Sequence, residues 1–422
     1  MNAPRILIAG GGASGFFAAI TAAEANPNAQ VVLLEKGTHL LAKVGISGGG
    51  RCNVTHACFD PRELSTRYPR GGRTLIGPLT RFGPTETIDW FQSRNVFLKT
   101  EHDGRVFPIT DSSQTIIDCL TNAARKAGVK ILTEIGVASI KIAPAGGFIL
   151  HLTNKSIMEC DRFLWAAGGC RPESHPPSSL GHSLTPPVPS LFTFHIDAPW
   201  LRELAGVSVD AVEVSIPSTD LKECGPLLFT HSGLSGPAIL RLSSWGARPL
   251  HELNYHFPLH LNWLPASSSA DILREIQNRR ETIGAQMVLR SRWSPLPVRL
   301  WEQLLLHAGI TEEHRWSKLN REDALQIVQI LTSTQLLVTG KSMNKEEFVT
   351  SGGIPLKEVD FKTMQSRLVP GLYFAGESLD IDGLTGGFNF QSAWTTGWIA
   401  GHAMANSTSS PTKYSTTIAN FF

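Results

Sequence analysis

The run Ile6-Leu-Ile-Ala-Gly10-Gly-Gly12-Ala13-Ser14-Gly15 decides the fold. Its apolar start reads as a buried strand, and the Ala-rich stretch over 13–25 reads as a helix. A second apolar run from Val31 ends at Glu35-Lys36, which completes a βαβ unit. In Gly10-x-Gly12-x-x-Gly15 the first glycine permits the strand-to-helix turn. The second lets a pyrophosphate approach the backbone, and the third lets the helix pack close to the sheet. Amide N–H groups at the helix start then face phosphate charge. Glu35 stands where an acid accepts from ribose hydroxyls. It disfavours a 2′-phosphate, so FAD or NAD is expected here rather than NADP.

Two further glycine clusters extend this reading. Lys43-Val-Gly-Ile-Ser47-Gly48-Gly49-Gly50-Arg51-Cys52-Asn53 reads as a loop after the second strand, where backbone can lie flush against a planar ring. Arg51 and Lys43 can balance diphosphate charge. Cys52 is expected as a packed small residue rather than a redox thiol, because no second cysteine sits beside it. Far downstream, Leu372-Tyr-Phe-Ala-Gly376-Glu377 reads as a strand ending in a turn. The segment from Asp382-Gly383 through Gly386-Gly387-Phe-Asn389-Phe390-Gln391 opens a final helix over about 388–406. That helix start would stabilise negative charge on a reduced flavin, with Asn389 and Gln391 supplying amides. The two ends of the chain therefore read as halves of one dinucleotide site.

Between them the pattern changes. A helix is expected over 114–127 with Gly128 closing it, then a parallel strand at Val129–Leu132, and a meander over 136–143, 147–153 and 157–160. Asp161 to Gly169 reads as another buried strand ending in glycines. Six prolines between 171 and 190 mark a loop and a boundary. Residues 191–263 read as short β segments, including Leu253–Leu261, and 269–336 as helices. The expected organisation is a first cofactor-binding part at 1–190 and an inserted β-rich and helical substrate-side domain at 191–341. A second cofactor-binding part at 342–406 and a tail at 407–422 follow.

Composition limits the function classes. The 422 residues are 42% hydrophobic and 18% charged, with a formal net charge of +2. That balance gives no reason to expect bulk nucleic-acid binding, and 269–336 carries no basic helix beyond Arg274, Arg279, Arg280, Arg290 and Arg292. The stretch holding Arg62, Arg67, Arg70, Arg73 and Arg81 reads as a solvated surface, with an anion site as its alternative. No apolar run is long enough for a membrane span, and the start reads as a strand rather than a leader. The six cysteines are scattered, which suits reduced thiols in the cytoplasm, and no spacing suggests a metal site. His231, in Phe229-Thr-His231-Ser-Gly-Leu-Ser-Gly236, could act as acid or base or merely brace its loop. No Gly-x-Ser-x-Gly, His-Glu-x-x-His or Walker loop is present.

Together these segments, with Ser351-Gly-Gly-Ile354 and Lys357-Glu-Val-Asp360, resemble a family of bacterial NAD(P)/FAD-dependent oxidoreductases. The family includes aminoacetone-oxidase-like flavoproteins and reductases of dehydro-bile acids. The resemblance implies an α/β fold, with a discontinuous Rossmann-type FAD/NAD(P)-binding domain carrying an inserted β-barrel-like and helical domain. It implies non-covalent FAD held by the three glycine clusters together with Ala13, Ser14, Lys36, Val137, Ala167, Gly168, Glu377, Asp382 and Phe390. It also implies a redox enzyme acting on a small organic substrate. The expected reaction is hydride transfer through flavin N5 with NAD(P)H as a transient donor; alternatives are an amine oxidase releasing peroxide and a flavin-bearing regulatory or nucleic-acid-binding protein. Arg51, His231 and Asp382 are the candidates for catalytic groups. The chain departs from the family after Gly169, where Cys170-Arg-Pro-Glu-Ser-His shortens an aromatic, glycine-rich loop. Specificity is therefore expected in this loop and in the insertion.

Overall fold

The computed structural model describes residues 3–169, 175–217, 219–342 and 349–406. The expected tail at 407–422 and the start of the shortened loop, 170–174, lie outside the described residues. The chain divides into two compact units, one formed by the described residues of Met1–Val188 and Lys345–Phe422, the other by those of Pro189–Asn344.

The first unit is built on the βαβ unit read from the sequence: β1 (Arg5–Ala9), α1 (Ala13–Ala25) and β2 (Gln30–Leu34). β1 lies at the centre of a parallel sheet. Arg162–Trp165 and Leu372–Phe374 flank it on one side, β2 and Lys130–Leu132 on the other. An antiparallel hairpin, Val359–Asp360 and Gln365–Ser366, finishes one edge. Buried on both faces, these strands are continuous apolar runs rather than alternating ones. Ile6, Leu7, Ile8, Leu33, Phe163, Leu164 and Phe374 are all fully buried. The helix Ser113–Lys126 and the antiparallel meander Val137–Ile142, Phe148–Leu152 and Ile157–Cys160 also form as expected. The buried His182 ring joins Glu358 (2.7 Å) to Ser366 (2.8 Å) and fastens the edge hairpin.

The final helix, Phe388–Asn406, packs along α1. A Cβ on Gly397 would stand 2.6 Å from the Ser14 carbonyl oxygen, and one on Gly401 2.7 Å from that of Ala18. Four residues apart, the two glycines share one helix face and let the backbones approach closely.

The second unit holds a closed barrel of Thr193–Ile196, Gly233–Ser235, Lys222–Thr230, Ser208–Ser215, Phe257–Asn262 and Thr334–Ser342. Helices Ser269–Thr282, Val298–His307 and Arg321–Thr332 share its core, in which Trp301 and Trp316 are fully buried. Three local expectations need correction. Region 191–263 is not all strand: Pro237–Trp245 and Ala247–Glu252 are helical, and the strand expected from Leu253 begins at Phe257. Pro237 occupies the first helical position, where its missing N–H costs nothing. The loop expected over 43–53 begins as a helix, Ala42–Gly50, broken at Ser47, Gly48 and Gly49. The Pro-rich stretch is not loop throughout, since Thr185–Ser190 pairs with Val349–Gly353.

Gly401→Leu is expected to lower stability by about 1–3 kcal/mol despite better helix propensity, because the added side chain meets immovable backbone. Urea denaturation of the purified protein measures this.

Candidate functional site

The glycines after β1 answer to different constraints. Gly10 has φ +116°, and a Cβ there would stand 2.2 Å from the Ala166 carbonyl oxygen. A Cβ on Gly15 would lie 1.9 Å from the Gly10 oxygen. Protein atoms thus force both residues to be glycine. Gly12 has ordinary extended backbone, and a Cβ there would meet nothing within 4 Å. It is the N-cap of α1 and supplies no side-chain cap, and no described atom lies within 4 Å of its Cβ position. At the end of β2, Glu35 accepts from the N–H groups of Gly11 and Gly37, both at 2.7 Å. These bonds hold its carboxylate beside the same turn. Lys36 lies against Gly136, next to the half-buried Val137.

The C-terminal run meets this turn. A Cβ on Gly376 (φ +66°) would be 2.4 Å from Ser14 Oγ, while its N–H donates to Thr396 Oγ1 at 2.9 Å. Lys43 Nζ donates to Glu377 Oε2 at 2.5 Å, and that oxygen lies 4.0 Å from the Cβ direction of Gly168. Ala167 is exposed at the end of its strand. Gly49 and Gly50, with φ +69° and +83°, also face no protein atom within 4 Å of a Cβ position. Ser47 donates to the Val44 carbonyl, and Gly48 lies against Phe107. Asn53 links this loop to the last helix: with its amide turned to satisfy its neighbours, its oxygen accepts from Gly387 N–H at 3.0 Å. Ser14 and Gly376 therefore meet at the start of α1, Lys43, Glu377 and Gly168 lie together next to Gly376 in the chain, and Asn53 joins the glycine loop to the start of the last helix.

Other expected residues are engaged elsewhere. Arg51 pairs with Glu101 (2.5 Å) and Asp111 (2.6 Å) and lies 4.0 Å over the Phe107 ring. The hydrogen bonds it donates to Glu101 and Asp111 raise its pKa. Burial pushes the Cys52 thiol up to about 12, so it remains protonated. Asp382 is wholly buried and grips the Arg70 guanidinium through both carboxylate oxygens. Asn389 uses both ends of its amide on Gly383, at 2.8 Å each. Gln391 sends its amide into the protein: Thr55 (2.5 Å) and Thr87 (3.0 Å) donate to its oxygen, and its nitrogen donates to Thr395 (3.1 Å). Phe390 stacks on Trp394 at 5.6 Å. His231 lies exposed in a barrel turn of the second unit.

Sequence reasoning missed His56, which stacks 4.8 Å from Phe388 at the start of the last helix, and Tyr68, whose hydroxyl donates to the Phe388 carbonyl at 2.7 Å. Burial lowers the His56 pKa. Neither residue belongs to a repeating spacing or motif that would mark it. Among the described residues no group of His, Cys, Asp and Glu is arranged to hold a metal ion, and no helix is long and apolar enough to cross a membrane.

Residues 4–403 match the family described as HI0933-like protein Rossmann domain. The chain belongs to the HI0933-like family. It is 29% identical over 411 residues to a 3-dehydro-bile acid delta(4,6)-reductase of Clostridium scindens, covering 95% of this chain and 99% of that one. It is 31% identical over 403 residues to a ribosomal RNA dihydrouridine synthase of Escherichia coli, covering 93% and 96%. Among solved structures it resembles a 3-ketosteroid delta1-dehydrogenase of Sterolibacterium denitrificans, with a TM-score of 0.50 and 10% identity over 96% of this chain and 100% of that one. That likeness concerns the fold alone.

The turn after β1 separates glycines fixed by packing from one with open space beside it. Gly12→Ala should leave the apoprotein's melting temperature unchanged while weakening FAD uptake at least about tenfold. Gly15→Ala should destabilise the fold itself; thermal melts with and without FAD compare the two. A second expectation concerns pH. Burial, reinforced by His182, pushes His175 down from 6.5 to about 4. Unfolded chains then take up this proton first, so stability present above pH 6.5 is lost as pH falls toward 4, by at most about 1.4 kcal/mol per unit. His175→Gln should flatten this slope in urea titrations.

Proposed function

We propose that this HI0933-like protein holds FAD across the opening above Gly12 and uses it to saturate a carbon–carbon double bond conjugated to a carbonyl. The chain is an oxidoreductase of the FAD-dependent class. One observation carries the cofactor assignment: no described atom lies within 4 Å of a Cβ on Gly12, at a helix start without a side-chain cap and next to Gly11, whose N–H the Glu35 carboxylate accepts. A diphosphate suits the helix start, and ribose hydroxyls suit Glu35. Lys43 and Glu377 lie beside that space, and Gly48–Gly50 offer backbone to a planar ring. FAD, when bound, supplies two-electron hydride chemistry at its isoalloxazine ring.

Both relatives' names denote reduction of conjugated carbon–carbon bonds. A 3-oxo steroid with bonds at positions 4 and 6 is an extended enone, and dihydrouridine is uridine saturated next to its C4 carbonyl. Each saturation places a hydride on the double-bond carbon that the conjugated carbonyl makes electrophilic and a proton from solvent on the other carbon of that bond. The electron pair is drawn from NAD(P)H, which binds transiently because the sequence has no second Gly-x-Gly-x-x-Gly after a strand. The chain's own residues bind and orient. Arg51 and Asp382 position loops through their ion pairs and move no proton.

Purified protein is expected to be yellow with bound FAD. Anaerobic mixing with NADH or NADPH should bleach it rapidly, and a cyclic enone should restore the colour. Colourless protein that takes up no FAD refutes the cofactor reading. Slow bleaching, with peroxide formed from an amine, refutes the reductase reading.

A further inference from the structure

The segment that follows the glycine loop grips the start of the last helix at four consecutive residues. The Asn53 side-chain oxygen accepts from Gly387 N–H at 3.0 Å, and the Val54 carbonyl accepts from Trp394 Nε1–H at 2.9 Å. Thr55 donates to Gln391 at 2.5 Å, and its carbonyl oxygen would stand 2.6 Å from a Cβ on Gly387. The fourth contact is the His56 ring, stacked on Phe388 with centroids 4.8 Å apart and planes 24° from parallel. The first three contacts hold no group that titrates between about pH 5 and 8. The fourth does, because imidazole takes up a proton in that range.

His56 is held in one tautomer and one place. Its Nε2–H donates to the Asp103 carbonyl at 3.1 Å, which leaves Nδ1 as the acceptor. Nδ1 is buried and has no hydrogen-bond partner. A Cβ on Gly104 would stand 2.4 Å from the ring carbon Cε1, so that turn closes the ring in. A proton on Nδ1 would leave a charged ring out of water, with an N–H that has no acceptor. The neighbouring charges do not compensate. Glu63 and Arg67 both face the ring and lie 3.9 Å from each other. Asp103 is engaged at 2.7 Å by Arg105, which pairs with His56 across the strands. His102 is exposed, as are Glu86 and Asp89 of the helix Pro84–Gln92, which packs on the same strand. The last helix carries no charged residue from Phe388 to Gly401. Burial outweighs the carboxylates and holds His56 below its ordinary 6.5.

We infer that His56 positions the start of the last helix only while it is neutral, and that acidification opens this clasp and loosens FAD. The inference rests on the cofactor reading above: segment 53–56 continues from Gly48–Gly50, the loop that offers backbone to the flavin, and Gly48 lies against Asn53. The opened form binds one more proton than the closed one. FAD is therefore held fully above pH 6.5, and its affinity falls below that pH by at most about tenfold per unit.

The test titrates the full-length protein with FAD, by flavin fluorescence, between about pH 7.5 and 5.5. His56→Phe keeps a ring on Phe388 and cannot take up the proton. The parent's Kd is expected to rise about three- to tenfold over this range, and that of His56→Phe by less than about twofold. His175→Gln should keep the parent's FAD profile while flattening its unfolding slope, which separates loss of the clasp from loss of the fold. Should His56→Phe melt early, His56→Gln replaces it, with weaker binding at every pH and the same flat profile. Hydrogen exchange of peptide 383–391, in the full chain without added FAD, reads the clasp directly. At the acid end the parent should exchange at least about threefold faster than His56→Phe, and the two should agree at the neutral end. A parent profile as flat as the variant's, or a variant profile as steep as the parent's, overturns the inference and leaves FAD binding standing. Protein that takes up no FAD at any pH sinks the cofactor reading, and the exchange comparison then decides the clasp alone.

Discussion

Backbone contact at Ser14 is the constraint on which the first unit depends. Its carbonyl lies under Gly397 of the last helix, and its hydroxyl lies under Gly376 of the C-terminal turn. No side chain fits at either place. The start of α1 is thereby clamped from two directions by residues more than 350 positions away, and its amides are oriented before any ligand arrives. Preorganised donors of this kind act without first having to be arranged.

Buried polar groups reinforce this frame. Gln391, Thr55, Thr87 and Thr395 satisfy one another around the Phe82 carbonyl, and Arg70 meets Asp382 in a bidentate pair. A buried ion pair gains little net stability over well-packed apolar residues, because desolvating both charges offsets their attraction. Its geometry is nevertheless specific. Arg70 fits only if the loop through Asp382 takes one path, which also fixes Gly383, Asn389 and the start of the last helix.

The sequence made most of the first unit legible because its signals are local. Apolar runs ending in glycine give parallel strands, and the Gly10-x-Gly12-x-x-Gly15 spacing gives the turn. Alternation over 136–160 gives the meander. Pairings across the chain were not legible. Nothing near Arg70 points to Asp382, 312 residues on, and an amide at Gln391 looks alike whether it faces a ligand or three threonines. The helices at 237–252 were missed because short apolar segments among glycines and prolines carry no clear period. Gly12 and Gly15 are equivalent letters in the motif, and only the space around each tells the one locked by packing from the one left open.

The interrupted layout of the first unit also has a consequence during synthesis. β1 and α1 leave the ribosome early, but Leu372–Phe374 and the helix bearing Gly397 and Gly401 come last. The whole second unit, with its own core, intervenes. Domains tend to fold as they are made, so the inserted unit can be complete while the α1 surface still lacks its partner helix. Closure of the cradle is then a long-range event, slow in the way that pairings distant in sequence are slow. Until that helix docks, the apolar flank of α1 is a site for chaperones or for aggregation, and the nascent chain's vulnerable interval spans nearly its whole length.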